Sequence, residues 1–171
     1  MGCSDMFVVP TFARRQVLAL LWADAVALAA GPALAQVAVG TANVVVREVS
    51  ATVGGAARTL ASADPVHRDE LIATATESAT EITFDDQTQL SIGPESQVTL
   101  DEFVYDPNSH AGSLAIAVTV GIIRLASGDM NEEGVVITTP VATIGIRGPI
   151  VTVSVAAAGT TTVSVEPGEA A

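Results

Sequence analysis

The acids carry most of the potential chemistry in this 171-residue chain. They gather at Asp85-Asp86, at Asp101-Glu102, at Asp106 with Asn108, and at Asp129-Asn131-Glu132-Glu133. Two uses are open to such groups: paired carboxylates for acid–base catalysis, or the roughly six to eight hard oxygens that Ca²⁺ takes. Asp-Asp between two apolar runs is first of all a turn, because Asx side chains cap the backbone there. No EF-hand loop or glycine-rich nonapeptide repeat organises the acids, so Asp85, Asp86, Asp101, Glu102 and Asp106 are Ca²⁺ candidates on clustering alone. The two histidines, His67 in H-R-D-E and His110 in P-N-S-H, read as surface-turn residues without catalytic partners. The G-x-S-x-G elbow, the phosphate loop and the dinucleotide fingerprint are all absent. The one cysteine, Cys3, has no partner for a disulfide or a Cys/His metal site. The expectation is a protein without catalytic residues and without a cofactor.

The elements that position these residues are strands. Thr80, Ile82 and Phe84 alternate with Ala79, Glu81 and Thr83, the period of two of a half-buried strand. Leu90 and Ile92, then Val98 and Leu100, then Phe103 and Tyr105 follow at short, even spacing, with turns at 85–88, 93–96 and 106–109 between them. Leu114, Ile116, Val118 and Val120 predict the longest strand. Gly121 interrupts it, and Ile123 and Leu125 continue in shifted register, as a bulge would produce. Val135–Gly148 reads as two apolar strands around Pro140. Ala142, Ile144 and Ile146 share a face there, and Gly145 signals a bulge or close backbone approach. Val151, Val153 and Val155 pair with Val163 and Val165 as a hairpin. Earlier, Asn43–Arg47 forms a first strand and Arg58–Leu60 a short one. The fold class is all-β: a compact domain of many short strands, either a two-sheet sandwich or jelly roll or a solenoid-like stack.

Residues 1–35 differ from the rest. Arg14-Arg15, the apolar run Val17–Ala30, Gly31-Pro32 and Ala33-Leu34-Ala35 have the order of a cleaved secretory signal peptide. The run is shorter than the ~20 residues of a spanning helix, so an uncleaved anchor is the lesser alternative. The domain plan is then signal peptide 1–35, N-terminal strands 36–64, a core at 65–155, and a C-terminal strand and tail at 156–171. Lysine is absent, and 19 acids against 7 arginines give a net charge of −12. That balance keeps the chain soluble and argues against nucleic acid as a partner.

Two stretches carry a family resemblance. Asp101-Glu102-Phe103-Val104-Tyr105-Asp106-Pro107 and Thr139-Pro140-Val141-Ala142-Thr143-Ile144-Gly145-Ile146-Arg147-Gly148, preceded by Ile82–Ser96, resemble a FecR domain over about residues 65–155. The resemblance implies an all-β periplasmic module, which in the namesake regulators relays transporter occupancy to a cytoplasmic anti-sigma segment. Only about 15 residues precede the apolar run here, too few for such a segment. Pro149 stands where the family usually has threonine, which predicts a distorted following strand. Relatives tend to continue beyond Val165 with a further strand, which predicts an exposed edge. The family supplies no catalytic residue. The expected role is binding of a protein or envelope ligand in the periplasm or outside the cell, in sensing or regulation, at strand edges or at loops 85–88, 106–112 and 127–134. The alternatives are a structural or adhesin-type module and a Ca²⁺-binding β protein.

Overall fold

Residues 36–131 and 134–166 are described by a computed structural model. The sixteen-residue strand β9 (Ala111–Ala126) is common to two sheets. Before it come β1 (Ala38–Val46), β2 (Val49–Val53), β3 (Ala56–Thr59), β4 (Pro65–His67), β5 (Glu70–Thr74), β6 (Ala79–Phe84), β7 (Gln89–Ile92) and β8 (Gln97–Asp106). After it come β10 (Val135–Thr138), β11 (Thr143–Gly145), β12 (Ile150–Val155) and β13 (Thr161–Glu166). The first sheet runs β4-β1-β6-β7-β9-β12-β13 and the second β3-β2-β5-β8-β9-β10-β11. The first half of β9 belongs to the second sheet, between β8 and β10; its last six residues belong to the first, between β7 and β12.

Gly121 is the corner. It has φ +107, and a Cβ there would lie 2.1 Å from the Ser96 hydroxyl, so only glycine lets β9 turn over Ser96. Buried Ser96 donates to the Pro94 carbonyl at 3.1 Å and accepts from the Ile122 N–H at 3.1 Å. One extra residue opposite β8, at Thr119, flips the alternation beside the corner. Leu114, Ile116 and Val118 therefore point into the same core as Ile123 and Leu125. The predicted register shift is present. What the sequence pattern did not reveal is that the strand changes sheets there.

Both sheets close on one apolar core, with Val39, Ile72, Ile82, Phe84, Leu90, Leu100, Ile116, Ile137 and Val153 among its buried members. Phe84 of the first sheet stacks on half-buried Phe103 of the second, ring centroids 5.3 Å apart. The ladders are antiparallel except for β10, which lies parallel to β9. This pattern selects the sandwich over the solenoid-like alternative.

Several local expectations are corrected. The first strand spans Ala38–Val46 and ends before Arg47, whose φ of 59 turns the chain out of the first sheet. Pro140 occupies the β10–β11 turn, where Thr139 accepts from the Ala142 N–H at 3.1 Å; Ala142 is therefore exposed, not inward. Gly145 makes no bulge, since β10 and β11 pair in even register, and a Cβ there would meet nothing within 4 Å. The distortion expected from Pro149 is also absent, because β12 pairs evenly on both sides from Ile150. The signal-peptide reading lies outside the described residues, and among those described no helix is long and apolar enough to cross a membrane.

Gly121→Ala combines backbone strain with a clash against Ser96 and should cost about 3 kcal/mol or more in urea unfolding. Gly55→Ala is the control. Gly55 has φ +83 but open space, so strain alone should cost about 1 kcal/mol. Equal losses would show that the contact with Ser96 contributes nothing.

Candidate functional site

The acidic candidates are placed as structural parts. Asp86 is fully buried in the β6–β7 turn and accepts from the Thr88 N–H at 3.1 Å and the Thr88 hydroxyl at 2.6 Å. Thr88 accepts in turn from Gly128 N–H at 3.0 Å, and the Asp86 carbonyl from Asp129 N–H at 2.7 Å. Loops 85–88 and 127–129 are thus locked to each other. A Cβ at Gly128 would lie 2.2 Å from the Asp86 carbonyl.

Asp101 and Glu102 are exposed on β8; Glu102 accepts from the Ser113 hydroxyl at 2.6 Å. Burial, then the Asp69 charge, pushes the Asp101 carboxyl up. Asp106 closes the β8–β9 turn, accepting from the Asn108 N–H at 2.9 Å and the Ser109 hydroxyl at 2.8 Å. The Asn108 N–H and then the Ser109 hydroxyl hold its carboxyl below 3.8. Tyr105 and His110 meet at that turn, 3.4 Å apart. Among the described residues, no three His, Cys, Asp or Glu side chains gather closely enough to hold a metal ion. Glu132 and Glu133 lie outside the described residues.

Among the described residues, a buried charge network centres on Glu70, which the sequence reading did not single out. Glu70 is fully buried at the start of β5 and accepts from Arg58 Nε at 3.1 Å, Arg58 Nη2 at 3.0 Å and the His67 N–H at 2.8 Å. Arg58 also reaches Asp64 at 3.3 Å and the Pro65 carbonyl. His67 is not a free surface histidine. The positive φ of Asp69 folds H-R-D-E back on itself, leaving His67 Nδ1 buried 3.5 Å from the Glu70 carboxylate without a hydrogen bond. The signal was available in sequence as one arginine and one glutamate flanking two turn motifs, but its pairing spans 12 residues and depends on tertiary contact.

Among the described residues, the four sheet edges differ in what they offer a partner. β4 has three residues, begins with a proline, and its Pro65 carbonyl is occupied by Arg58. β3 is short and carries that arginine, and β11 has three residues ending in Gly145. β13 is different. It runs for six residues, T-T-V-S-V-E, pairs with β12 alone among the described residues, and exposes Val163 by 41% and Val165 by 54%. It has one charged side chain, Glu166, set 3.5 Å from Arg124. Charges, prolines and shortness protect an edge from pairing, and β13 has little of any.

The Val135–Gly148 stretch flanks that edge. The Thr161 hydroxyl donates to the Thr139 hydroxyl at 3.2 Å, and Gly148, at φ +141, passes so close that a Cβ would lie 3.0 Å from Val165. Val141, 66% exposed, lies over Gly159 of the β12–β13 turn. Ile144 packs against the core, Ile146 is buried in it, and Arg147 is exposed. Pro107 lies in the turn after β8.

This geometry defines an all-β module in which several acids close turns and, among the described residues, β13 is paired on one side alone. The FecR protein family profile matches residues 70–171, more than half of the chain and everything from β5 onward, and the chain belongs to that family. Its members are regulatory proteins of the bacterial envelope. No curated protein and no solved structure matches the chain.

Two outcomes test these assignments. Removing one partner of a buried ion pair strands the other charge, so Arg58→Ala should cost about 3 kcal/mol in urea unfolding, with R58M/E70M recovering much of the loss. A double variant as unstable as the single one would refute the pairing. The lowered Asp106 value makes its turn contribution complete above 3.8 and lost as pH falls through the lower folded value. The Asn108 amide signal should therefore inflect below 3.8, and the inflection should vanish in Asp106→Asn.

Proposed function

We propose that this protein is an exported, non-catalytic binding module of the bacterial periplasm that captures an extended segment of a regulatory partner by strand addition at β13. The observation that carries this reading is the β13 edge, paired on one side alone among the described residues, six residues long and nearly uncharged, with Val163 and Val165 turned to solvent. An added strand satisfies the unpaired main-chain donors and acceptors, while the exposed valines contact alternate side chains of the partner. Residues 1–35 serve as the export address, and Val135–Gly148 holds the edge in position from the side.

The Thr139–Thr161 contact supports the reading that the family's characteristic stretch is retained for this edge and not for a catalytic centre. A metal-dependent role gains no support from the placement of the acids, and a spacer role gives no reason for an edge left unprotected.

In pull-downs from envelope extract, V163K/V165K should lose the specific partner captured by the unaltered protein while its Tm stays within about 2 °C, as substitutions of exposed residues cost little. Retention of the same partner by the variant would place the contact elsewhere.

A further inference from the structure

The outer face of the first sheet carries a groove of about 390 Å³ lined by residues of β1, β6, β7, β9 and β12. Val44, Glu81, Ser91, Arg124 and Thr152 form one row across β1, β6, β7, β9 and β12, each opposite the next. The floor is low because Ala79, Ser91 and Gly93 are small. Its walls are Val44 and Ile122, exposed by 48% and 43%. Gly93 is what makes room, since a Cβ there would lie 2.4 Å from the Ile122 side chain and displace that wall.

Two opposite charges flank this floor. Glu81 and Arg124 both stand opposite Ser91, two strand spacings apart, which sets their Cα atoms about 10 Å from each other. They do not pair. Among the described residues Glu81 has no ion pair, and Arg124 has one, with half-exposed Glu166 at 3.5 Å. A small anion would be repelled by a protein of net charge −12, and a small cation would meet Arg124. A neutral molecule with both charges meets neither penalty.

We propose that this groove binds a small zwitterion with an apolar body, the size of an apolar dipeptide, its carboxylate on Arg124 and its ammonium on Glu81. An extended dipeptide spans about 7 Å, and the two charged side chains close the remaining distance by leaning inward. Its apolar side chains lie against Val44 and Ile122. A volume of about 390 Å³ falls within the range of small-ligand sites. The ligand must draw Arg124 away from Glu166, so Glu166 tempers the affinity. The site lies on the sheet face and uses no main chain of the β13 edge, although Glu166 of β13 reaches Arg124.

The test is an NMR titration of the full domain with Leu-Leu, its N-acetyl form and its C-terminal amide. Leu-Leu should shift the amides of Glu81, Ser91, Gly93, Ile122 and Arg124, and blocking either terminus should weaken binding by about fivefold, the scale of a half-exposed ion pair. Arg124→Gln should erase the discrimination against the amide, and Glu81→Gln that against the acetyl form. Ser91→Leu fills the floor and should abolish binding with the spectrum otherwise native, while Glu166→Gln should strengthen it. The proposal is overturned if Leu-Leu leaves these amides unmoved at about 10 mM, a concentration well above millimolar affinity. Equal binding of the blocked peptides, or shifts confined to β13, would overturn it as well.

Discussion

The passage of β9 over Ser96 at Gly121 is the constraint on which the rest depends. A strand with uninterrupted alternation would send Ile123 and Leu125 to solvent once Leu114 and Ile116 faced the core. The extra residue at Thr119 and the left-handed glycine change the parity and the direction together, so one strand supplies inward side chains to both sheets. Ser96 satisfies the backbone at the corner, and its own N–H donates to Thr74, whose hydroxyl donates to Gly93. The G-P-E-S turn is thus the underside of the corner.

The same economy explains how several of the acids and threonines are used. Asp86, Asp106 and Thr139 each close a turn by accepting main-chain N–H groups from residues two or three positions on. Such contacts replace water for backbone groups that a small sandwich cannot leave unpaired. What the described residues leave uncommitted is the main chain at the β13 edge and a shallow face of the first sheet.

Much of the fold was legible because alternation has a period of two and survives without knowledge of neighbours. Ile82/Phe84, Leu90/Ile92 and Val151/Val153/Val155 were all read correctly as inward sets. The turn acids were legible for the same local reason. Partners distant in sequence were not. Nothing in V-V-I-T says that β10 runs parallel to β9, and nothing in H-R-D-E says that its glutamate is buried under an arginine from β3. Gly145 misled because glycine marks both close approach and open space. The framing of β13 by Thr139 and Gly148 needed the tertiary structure.

The shared strand also sets an order of assembly. β7 and β8 both take β9 as a partner, and β9 precedes β10 and β12, which flank it on the other side. A chain emerging from its amino terminus can pair β2 with β5 and β1 with β6, yet these half-sheets have no common element until residue 126 has appeared. β8 and β9 form a local hairpin, whereas the pairings of β9 with β7 and β12 span more than twenty residues and form more slowly. During that interval β7 and β8 are themselves raw edges, and the arrival of β9, which pairs with both, is what ends their exposure.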